Sequence, residues 1–79
     1  MNRKIKLIWD LRGLNNVLKT AQDHGQNIKY FAEKSHLTYD EIGSYIVSEH
    51  HAVAFVIIDE KDMITFRDAL KPHRAVVAQ

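Results

Sequence analysis

The sequence of 79 residues contains no cysteine, which excludes disulfide bonds, thiolate metal ligands and cysteine nucleophiles. One proline and three glycines are too few to form a linker between domains. The longest apolar run covers residues 52–58, far less than the roughly 20 apolar residues that a membrane-spanning helix needs. We therefore expect a single cytoplasmic domain, residues 1–79, with no membrane segment.

The charges are nearly balanced, with eleven basic and ten acidic side chains and a formal net charge of +1. This balance argues against a nonspecific nucleic-acid surface, which requires clustered lysines and arginines. A chain this short buries only about 60% of its unfolded surface. Because disulfides are excluded, association with a second subunit is the expected source of additional stability, unless histidines hold a metal.

Alternating hydrophobicity predicts a first strand up to Leu11, because residues two apart lie on one face of a strand. Helical spacing of apolar residues follows and predicts a helix that ends near His36, with Asn15 and Asn16 as candidate N-caps. Gly25 lies on the apolar side of this helix, where close packing on a sheet explains a glycine better than a helix break does.

The second half of the sequence predicts three more strands and one helix. Residues 42–48 are typical of a strand, and the polar residues 48–51 have hairpin length. The uninterrupted apolar residues 52–58 predict a central strand buried on both faces. Asp59 is a candidate cap for a second helix that Pro72 ends, and residues 74–78 predict a last strand.

This order, βαββαβ, predicts an α+β fold of the ferredoxin-like plan, with an antiparallel sheet of order 4-1-3-2 and two helices on one face. Helices cover one face only, yet residues 52–58 are apolar on both. An uncovered apolar row usually marks an interface. We therefore predict a homodimer through the open sheet face, the alternative being a monomer whose long side chains lean over a modest patch.

The predicted plan resembles the dimeric α/β-barrel group of ferredoxin-like proteins, which includes small monooxygenases and muconolactone-isomerase-like enzymes. The likeness is in element order and covers most of the chain. Two segments, KLIWDLRG at residues 6–13 and DMITFRDALKPHR at residues 62–74, also resemble segments of small bacterial proteins of unknown function. The resemblance implies a dimer and transfers no catalytic residue.

The predicted topology gathers six polar residues at one end of the sheet, and we take these as candidate ligand-binding residues. They are Asp10, Arg12, His50, His51, His73 and Arg74. Arg12 and Arg74 suggest a clasp for a small anionic ligand, a carboxylate or a phosphate, with the amides of the first helix added. The alternative is that no ligand binds here, because loops are generally polar and the C-terminal end of a helix favours cations.

A metal site of His50, His51, His73 and Asp10 is a further hypothesis, but adjacent histidines on a strand point to opposite faces. We expect no metal and no cofactor. Three functions remain open: a dimeric domain that binds a small anion, an interaction or structural module without a ligand, and a small dimeric-barrel enzyme. The enzyme would need a pocket against the open face, for which Trp9 and Tyr45 are candidate lining residues.

Overall fold

The computed structural model describes residues 3–78 and has an α+β architecture, which confirms the predicted fold class. The elements in chain order are strand β1 (Lys4–Arg12), helix α1 (Val17–Lys34), strand β2 (Glu41–Ser48), strand β3 (His51–Asp59), a 3-10 helix (Glu60–Asp62), helix α2 (Met63–Leu70) and strand β4 (Arg74–Ala78). The strands form one sheet of order β2-β3-β1-β4, with every neighbouring pair antiparallel. Read from its other edge, this is the predicted strand order, and the 3-10 helix is an element that the prediction lacked.

The core lies between the sheet and the two helices. Leu7 and Trp9 of β1 and Val56 of β3 are almost completely buried against Ile28 of α1 and Phe66 of α2. Because side chains alternate along a strand, the residues between these positions point to the other side of the sheet. No helix among residues 3–78 combines the length and the apolar character needed to cross a membrane.

We call the side of the sheet opposite this core the open face. The register assigns its residues, since directly opposed residues of an antiparallel pair share a face. Strands β1 and β3 contribute Lys4, Lys6, Ile8, Asp10 and Arg12, and His51, Val53, Phe55, Ile57 and Asp59. The edge strands β2 and β4 contribute Glu41, Gly43, Tyr45 and Ser48, and Arg74, Val76 and Ala78.

Strand β3 is the central strand that residues 52–58 predict, paired with β2 on one side and β1 on the other. On the core side Val56 and Ile58 are completely buried. On the open face Val53 is 1% exposed, whereas Phe55 and Ile57 are only partly buried. The open face is therefore apolar along β3 but is not closed by another element of the described chain.

Helix α1 begins where the asparagines predict, but its start is stabilised differently. Asn16 is the N-cap residue in a left-handed conformation, with φ 51°, and its side chain makes no capping hydrogen bond. The helix continues unbroken through Gly25, which is buried beside Ile42 of β2. The expectation that Gly25 packs against the sheet rather than breaking the helix is confirmed.

The segment before α2 corrects the predicted role of Asp59. Its side chain makes no capping hydrogen bond and instead accepts one from the Lys4 ammonium. Helix α2 ends at Leu70, two residues before Pro72, and Lys71 adopts a left-handed conformation with φ 52°. The indole N–H of Trp9 donates to the Leu70 carbonyl at 2.7 Å, so a core side chain also satisfies a helix-end acceptor.

Candidate functional site

Asp10 is the centre of the polar end of the sheet. Its carboxylate accepts two hydrogen bonds from Arg74, from Nε at 2.9 Å and from a terminal nitrogen at 2.9 Å. The His51 Nε2 atom lies 2.9 Å from the same carboxylate. Strands β4, β1 and β3 supply Arg74, Asp10 and His51 in turn, so the register of three strands builds this cluster. The paired geometry to Arg74 is the strongest form of an arginine–carboxylate contact.

The partners of Asp10 also set its pKa. Burial alone raises the pKa of this carboxyl, but the hydrogen bonds from His51 and Arg74 and the arginine charge outweigh burial. The pKa of Asp10 is therefore lowered from its ordinary value, and the group is an anion at neutral pH. The Asp10 side chain is 18% exposed, so these interactions are only partly screened by water.

Hydrogen bonds with the backbone fix the position of His73 and the tautomer of its ring. Its Nδ1 atom accepts a hydrogen bond from the Asp10 amide at 2.7 Å, and its own amide donates to the Ile8 carbonyl at 2.9 Å. A backbone N–H can only donate, so Nδ1 is unprotonated in this arrangement and the ring proton sits on Nε2. His73 thus ties the loop before β4 to β1, and its Nδ1 is not free for a ligand.

His50 and Arg12 lie at the same end but outside the Asp10 contacts. The His50 Nδ1 atom is 3.1 Å from the Gly13 carbonyl, and the Gly13 amide donates to the His50 carbonyl at 3.1 Å. Arg12 is exposed and stands opposite His51 in the register. Within residues 3–78 its side chain makes no hydrogen bond or ion pair, so its donors face solvent.

These contacts bear on the predicted clasp of Arg12 and Arg74 around one anion, which stays a prediction. Arg74 directs its guanidinium to Asp10, which leaves Arg12 as the arginine with free donors at this end. The two adjacent histidines have different partners, since His50 contacts a backbone carbonyl and His51 contacts Asp10. Across the described chain, no three histidine, aspartate or glutamate side chains come together as a set of metal ligands. We call Asp10, Arg12, His51 and Arg74 the arginine end of the open face.

The opposite end of the open face carries an excess of acidic groups. The Lys4 ammonium donates to Asp59 and lies 3.1 Å from a carboxylate oxygen of Asp40. The hydrogen bond from Lys4 lowers the pKa of Asp59 despite partial burial of that carboxyl. Glu41 is exposed, and it belongs to the next row of the sheet. We call Lys4, Asp40, Glu41 and Asp59 the carboxylate end.

Between the two ends lies an aromatic cluster that sequence reasoning missed. The Phe55 ring lies across Gly43, so close that a Cβ atom on Gly43 would be 2.7 Å from a ring carbon. The ring centroids of Tyr45 and Phe55 are 6.2 Å apart, and the Lys6 ammonium is 4.5 Å from the Phe55 centroid. The available signal was Gly43, because a glycine inside a strand often marks the close approach of another group.

Trp9 and Tyr45 do not line a common pocket. Trp9 is 2% exposed within the core on the helix side, whereas Tyr45 belongs to the open face. His24 of α1 packs on Trp9 with ring centroids 5.0 Å apart. Burial is the main cause that lowers the pKa of His24. A recess between α1 and β2 is lined by Gln22, Gly25, Gln26, Ile42, Gly43 and Ser44.

Comparison with known proteins supplies no relative for this chain. No protein-family model matches it, and neither does any curated protein or solved structure. The functional argument therefore rests on the chemistry of the open face.

Proposed function

We propose that the chain is a binding module of the ferredoxin-like plan whose activity is self-association into a homodimer through the open face. Two features support the plan: the antiparallel order of the strands, and a core that places both helices on one side of the sheet. The 3-10 helix before α2 is a local addition to that plan. The resemblance in element order to dimeric α/β-barrel proteins agrees with the proposal, although likeness of fold alone does not establish function.

The observation that carries the proposal is the apolar surface left uncovered on this face. Tyr45 is 43% exposed and Val76 is 46% exposed, and Phe55 and Ile57 between them are only partly buried. In this band, Tyr45, Phe55 and Ile57 are neighbours on strands β2 and β3, and Val76 of β4 lies across β1, whose Lys6 and Ile8 stand between Val76 and β3. Contiguous apolar surface on a small domain marks an interaction site.

A second sheet is a suitable occupant for this band. Two sheets pack face to face about 10 Å apart, with aligned strands crossing at about 30°. The Phe55 ring packs over the backbone of Gly43, so it does not protrude from the sheet surface. An apolar centre with a polar rim is the usual anatomy of a protein interface, and within this band the Lys6 ammonium lies over the Phe55 ring.

Neighbouring valines of β4 supply a matched test. Val76 belongs to the open face and Val77 to the opposite side, and their exposures are 46% and 48%. We expect Val76→Asp to shift sedimentation equilibrium strongly toward monomer, because it places a charge within an apolar contact. Val77→Asp introduces the same charge at nearly equal exposure and should leave the dimer intact.

The wild-type chain should sediment as a dimer at micromolar concentration. A wild-type monomer of 9.2 kDa at these concentrations would overturn the proposal. Equal loss of the dimer in both valine variants would place the interface elsewhere. Circular dichroism of each variant shows whether a change in mass reflects unfolding instead of dissociation.

A small anionic ligand at the arginine end is a second candidate, favoured by the free guanidinium of Arg12. The anion would meet Arg12 beside the Asp10–Arg74 pair, where two arginines outnumber one carboxylate. We expect titration calorimetry with phosphate or citrate to show binding that Arg12→Ala weakens about tenfold, a typical loss for a charged hydrogen bond. Arg67→Ala, at an exposed arginine of α2, is the control.

Arg74→Ala has a separate expected effect in that titration. It removes a cation and also leaves the Asp10 carboxylate without its paired donors, so it should weaken anion binding at least as much as Arg12→Ala. Unchanged binding in both variants would rule out the anion site. The enzyme hypothesis gains no support from the recess between α1 and β2, whose lining holds glutamine and serine but no histidine or carboxylate.

A further inference from the structure

Strand β4 is an edge strand with free backbone groups, because it pairs with β1 alone in the sheet. Backbone groups alternate between the two sides of an antiparallel strand, and the Ile8 carbonyl accepts from the His73 amide on the β4 side of β1. The even-numbered residues of β1 therefore bond to the even-numbered residues of β4. Ala75 and Val77 direct their N–H and C=O groups outward, where no strand of residues 3–78 pairs with them.

The side chains of these two residues are also uncovered. Val77 stands opposite Ile5 and Ala75 opposite Leu7 in the register, so all four side chains point to the helix side of the sheet. Ile5 and Leu7 are buried there, whereas Val77 is 48% exposed and Ala75 is exposed as well. The helices therefore cover β1 on this side but do not extend over β4.

Helix α2 places a further apolar side chain beside this edge. The Phe66 ring packs edge-on against Phe31 of α1, with ring centroids 5.6 Å apart. Ile64 is separated from Phe66 by a rotation of about 200° around the helix axis, so it lies on the flank of α2 turned away from α1. Because α1 packs over β2 and β3, this flank is on the β4 side of the sheet. Ile64 is 48% exposed, and we call Ile64, Ala75 and Val77 the β4 edge site.

The two edges of the sheet differ in their protection against strand addition. Edge strands are commonly protected by a bulge, a proline or a charged side chain. The β2 edge has a register shift near its turn and the exposed Glu41. Strand β4 pairs regularly with β1 and contains only alanine and valine after Arg74. The Arg74 guanidinium is bonded to Asp10 within the same chain, so β4 is the less protected edge.

We propose that the β4 edge site binds an extended segment of a partner protein, which adds to the sheet as a strand beside β4. Free backbone donors and acceptors on an edge recognise another extended backbone, and the alternate side chains of the added strand supply specificity. Residues opposite Ala75 and Val77 lie on the helix side, next to Ile64, so these positions of the partner segment should be apolar.

The size of the edge favours a short segment over a second folded copy of this chain. Five residues of β4 form an edge about 17 Å long. An edge of this length does not by itself supply the roughly 1,200–2,000 Å² that a stable protein–protein interface buries. The proposal is independent of the homodimer, because the outward backbone groups and the side chains of the β4 edge site do not belong to the open face.

Nuclear magnetic resonance of the isotope-labelled chain with the peptide acetyl-Thr-Val-Thr-Val-Thr-amide tests the proposal. Without peptide, the Ala75 and Val77 amides should exchange rapidly with solvent, whereas the Val76 amide, which bonds to β1, should be protected. The peptide, at concentrations up to about 1 mM, should shift both outward amide signals and slow their exchange. N-methylation of its two valines removes the donors to β4 and should weaken binding about tenfold or more. N-methylation of the central threonine, whose N–H points away from β4, should have little effect.

Two variants of the chain test the same contact from the other side. Ala75→Pro removes an outward N–H without removing a bond to β1, a position at which an edge strand tolerates proline. Val77→Asp places a charge beside the valines of the peptide. Both should weaken peptide binding about tenfold. Ile46→Asp introduces the same charge at an exposed residue of the other edge strand and should leave binding unchanged, with circular dichroism as the check on folding.

Slower exchange at Ala75 and Val77 that depends on the free valine amides of the peptide would support strand addition. An absence of shifts up to about 1 mM peptide, or equal binding of both methylated forms, would overturn it. Protection of these two amides before peptide is added would show that a second copy already occupies the edge, which also overturns the proposal. The sedimentation mass of Val76→Asp decides the homodimer separately.

Discussion

Asp10 shows how much one carboxylate organises in this small chain. Its side chain joins Arg74 of β4 and His51 of β3, and its amide holds the imidazole of His73. None of these partners is near Asp10 in sequence, so the residue connects three strands and the loop that precedes β4. The chain has no disulfide, and at this end of the sheet the polar contacts supply part of what a covalent crosslink would otherwise provide.

Replacing Asp10 with asparagine should therefore lower stability in a pH-dependent way. At neutral pH we expect Asp10→Asn to reduce the free energy of unfolding by about 1 kcal/mol, because the charged hydrogen bonds become neutral. The folded pKa of Asp10 is below its ordinary value of 3.8, so its contribution is complete above that pH. It is lost as pH falls through the folded pKa.

Urea unfolding of the wild type and of Asp10→Asn, measured from pH 7 to pH 2.5, checks this. The two stabilities should differ most at neutral pH and converge in acid. Asp59 also has a lowered pKa and titrates in both proteins, so the difference between them isolates Asp10. A constant difference across the range would show that the asparagine variant loses packing rather than charge interactions.

At the scale of elements, the alternation of apolar residues predicts more of the structure than the caps do. The last strand is observed at Arg74–Ala78 as predicted, and the second and third strands are each longer than predicted by one or two residues. Periodicity succeeds there because it reports the buried face directly. Asn16 and Asp59 fail as side-chain caps, since a cap depends on local backbone angles and on competing partners such as Lys4.

At the arginine end, the sequence predicts which residues come together but not which of them bind one another. Topology brings Asp10, His51 and Arg74 to one place, because strand ends can be assigned from element order alone. The choice of partners within that place depends on distances, and Arg74 binds Asp10 instead of joining Arg12. The aromatic cluster at Gly43 escaped prediction because it depends on the cross-strand register of β2 against β3.

Gly43 and Phe55 form one unit across this pair of strands. An alanine at position 43 would place its Cβ atom 2.7 Å from the Phe55 ring, which must then move away. We expect Gly43→Ala to cost about 1–3 kcal/mol of unfolding free energy, as overpacking does. In the Phe55→Leu background the same change should cost much less, because the ring that it meets is absent.

A double-mutant cycle of these two substitutions measures the coupling. The interaction energy should exceed about 0.5 kcal/mol, the level typical of residues in direct contact. Ser44→Ala, at the adjacent position on the opposite side of β2, is a control that should show no coupling with Phe55→Leu. Additive effects of Gly43→Ala and Phe55→Leu would mean that the ring does not rest on the glycine.

At the scale of the whole molecule, the helices shield one side of a four-stranded sheet, and no element of residues 3–78 covers the other side. If dimer formation buries the band of Tyr45, Phe55, Ile57 and Val76, unfolding includes dissociation. The melting temperature of the wild type should then rise with protein concentration. The Val76→Asp variant should melt at a lower temperature that does not depend on concentration.

Calorimetric scans over a hundredfold range of concentration make this measurement. A wild-type melting temperature that stays constant, together with a constant sedimentation mass, would show that the folded unit is a single chain. In that case the partly buried Phe55 and Ile57 would owe their protection to side chains of their own sheet, among them Lys6.

The irregularity late in β2 bears on how large an assembly can become. The pairing of β2 with β3 shifts between Ile46 and Ser48, near the turn. A foreign strand laid along the outer edge of β2 would find regular backbone donors and acceptors for only part of its length, and then a bend. Such a break disfavours the addition of strands along the β2 edge, so fibre growth from that edge is not expected.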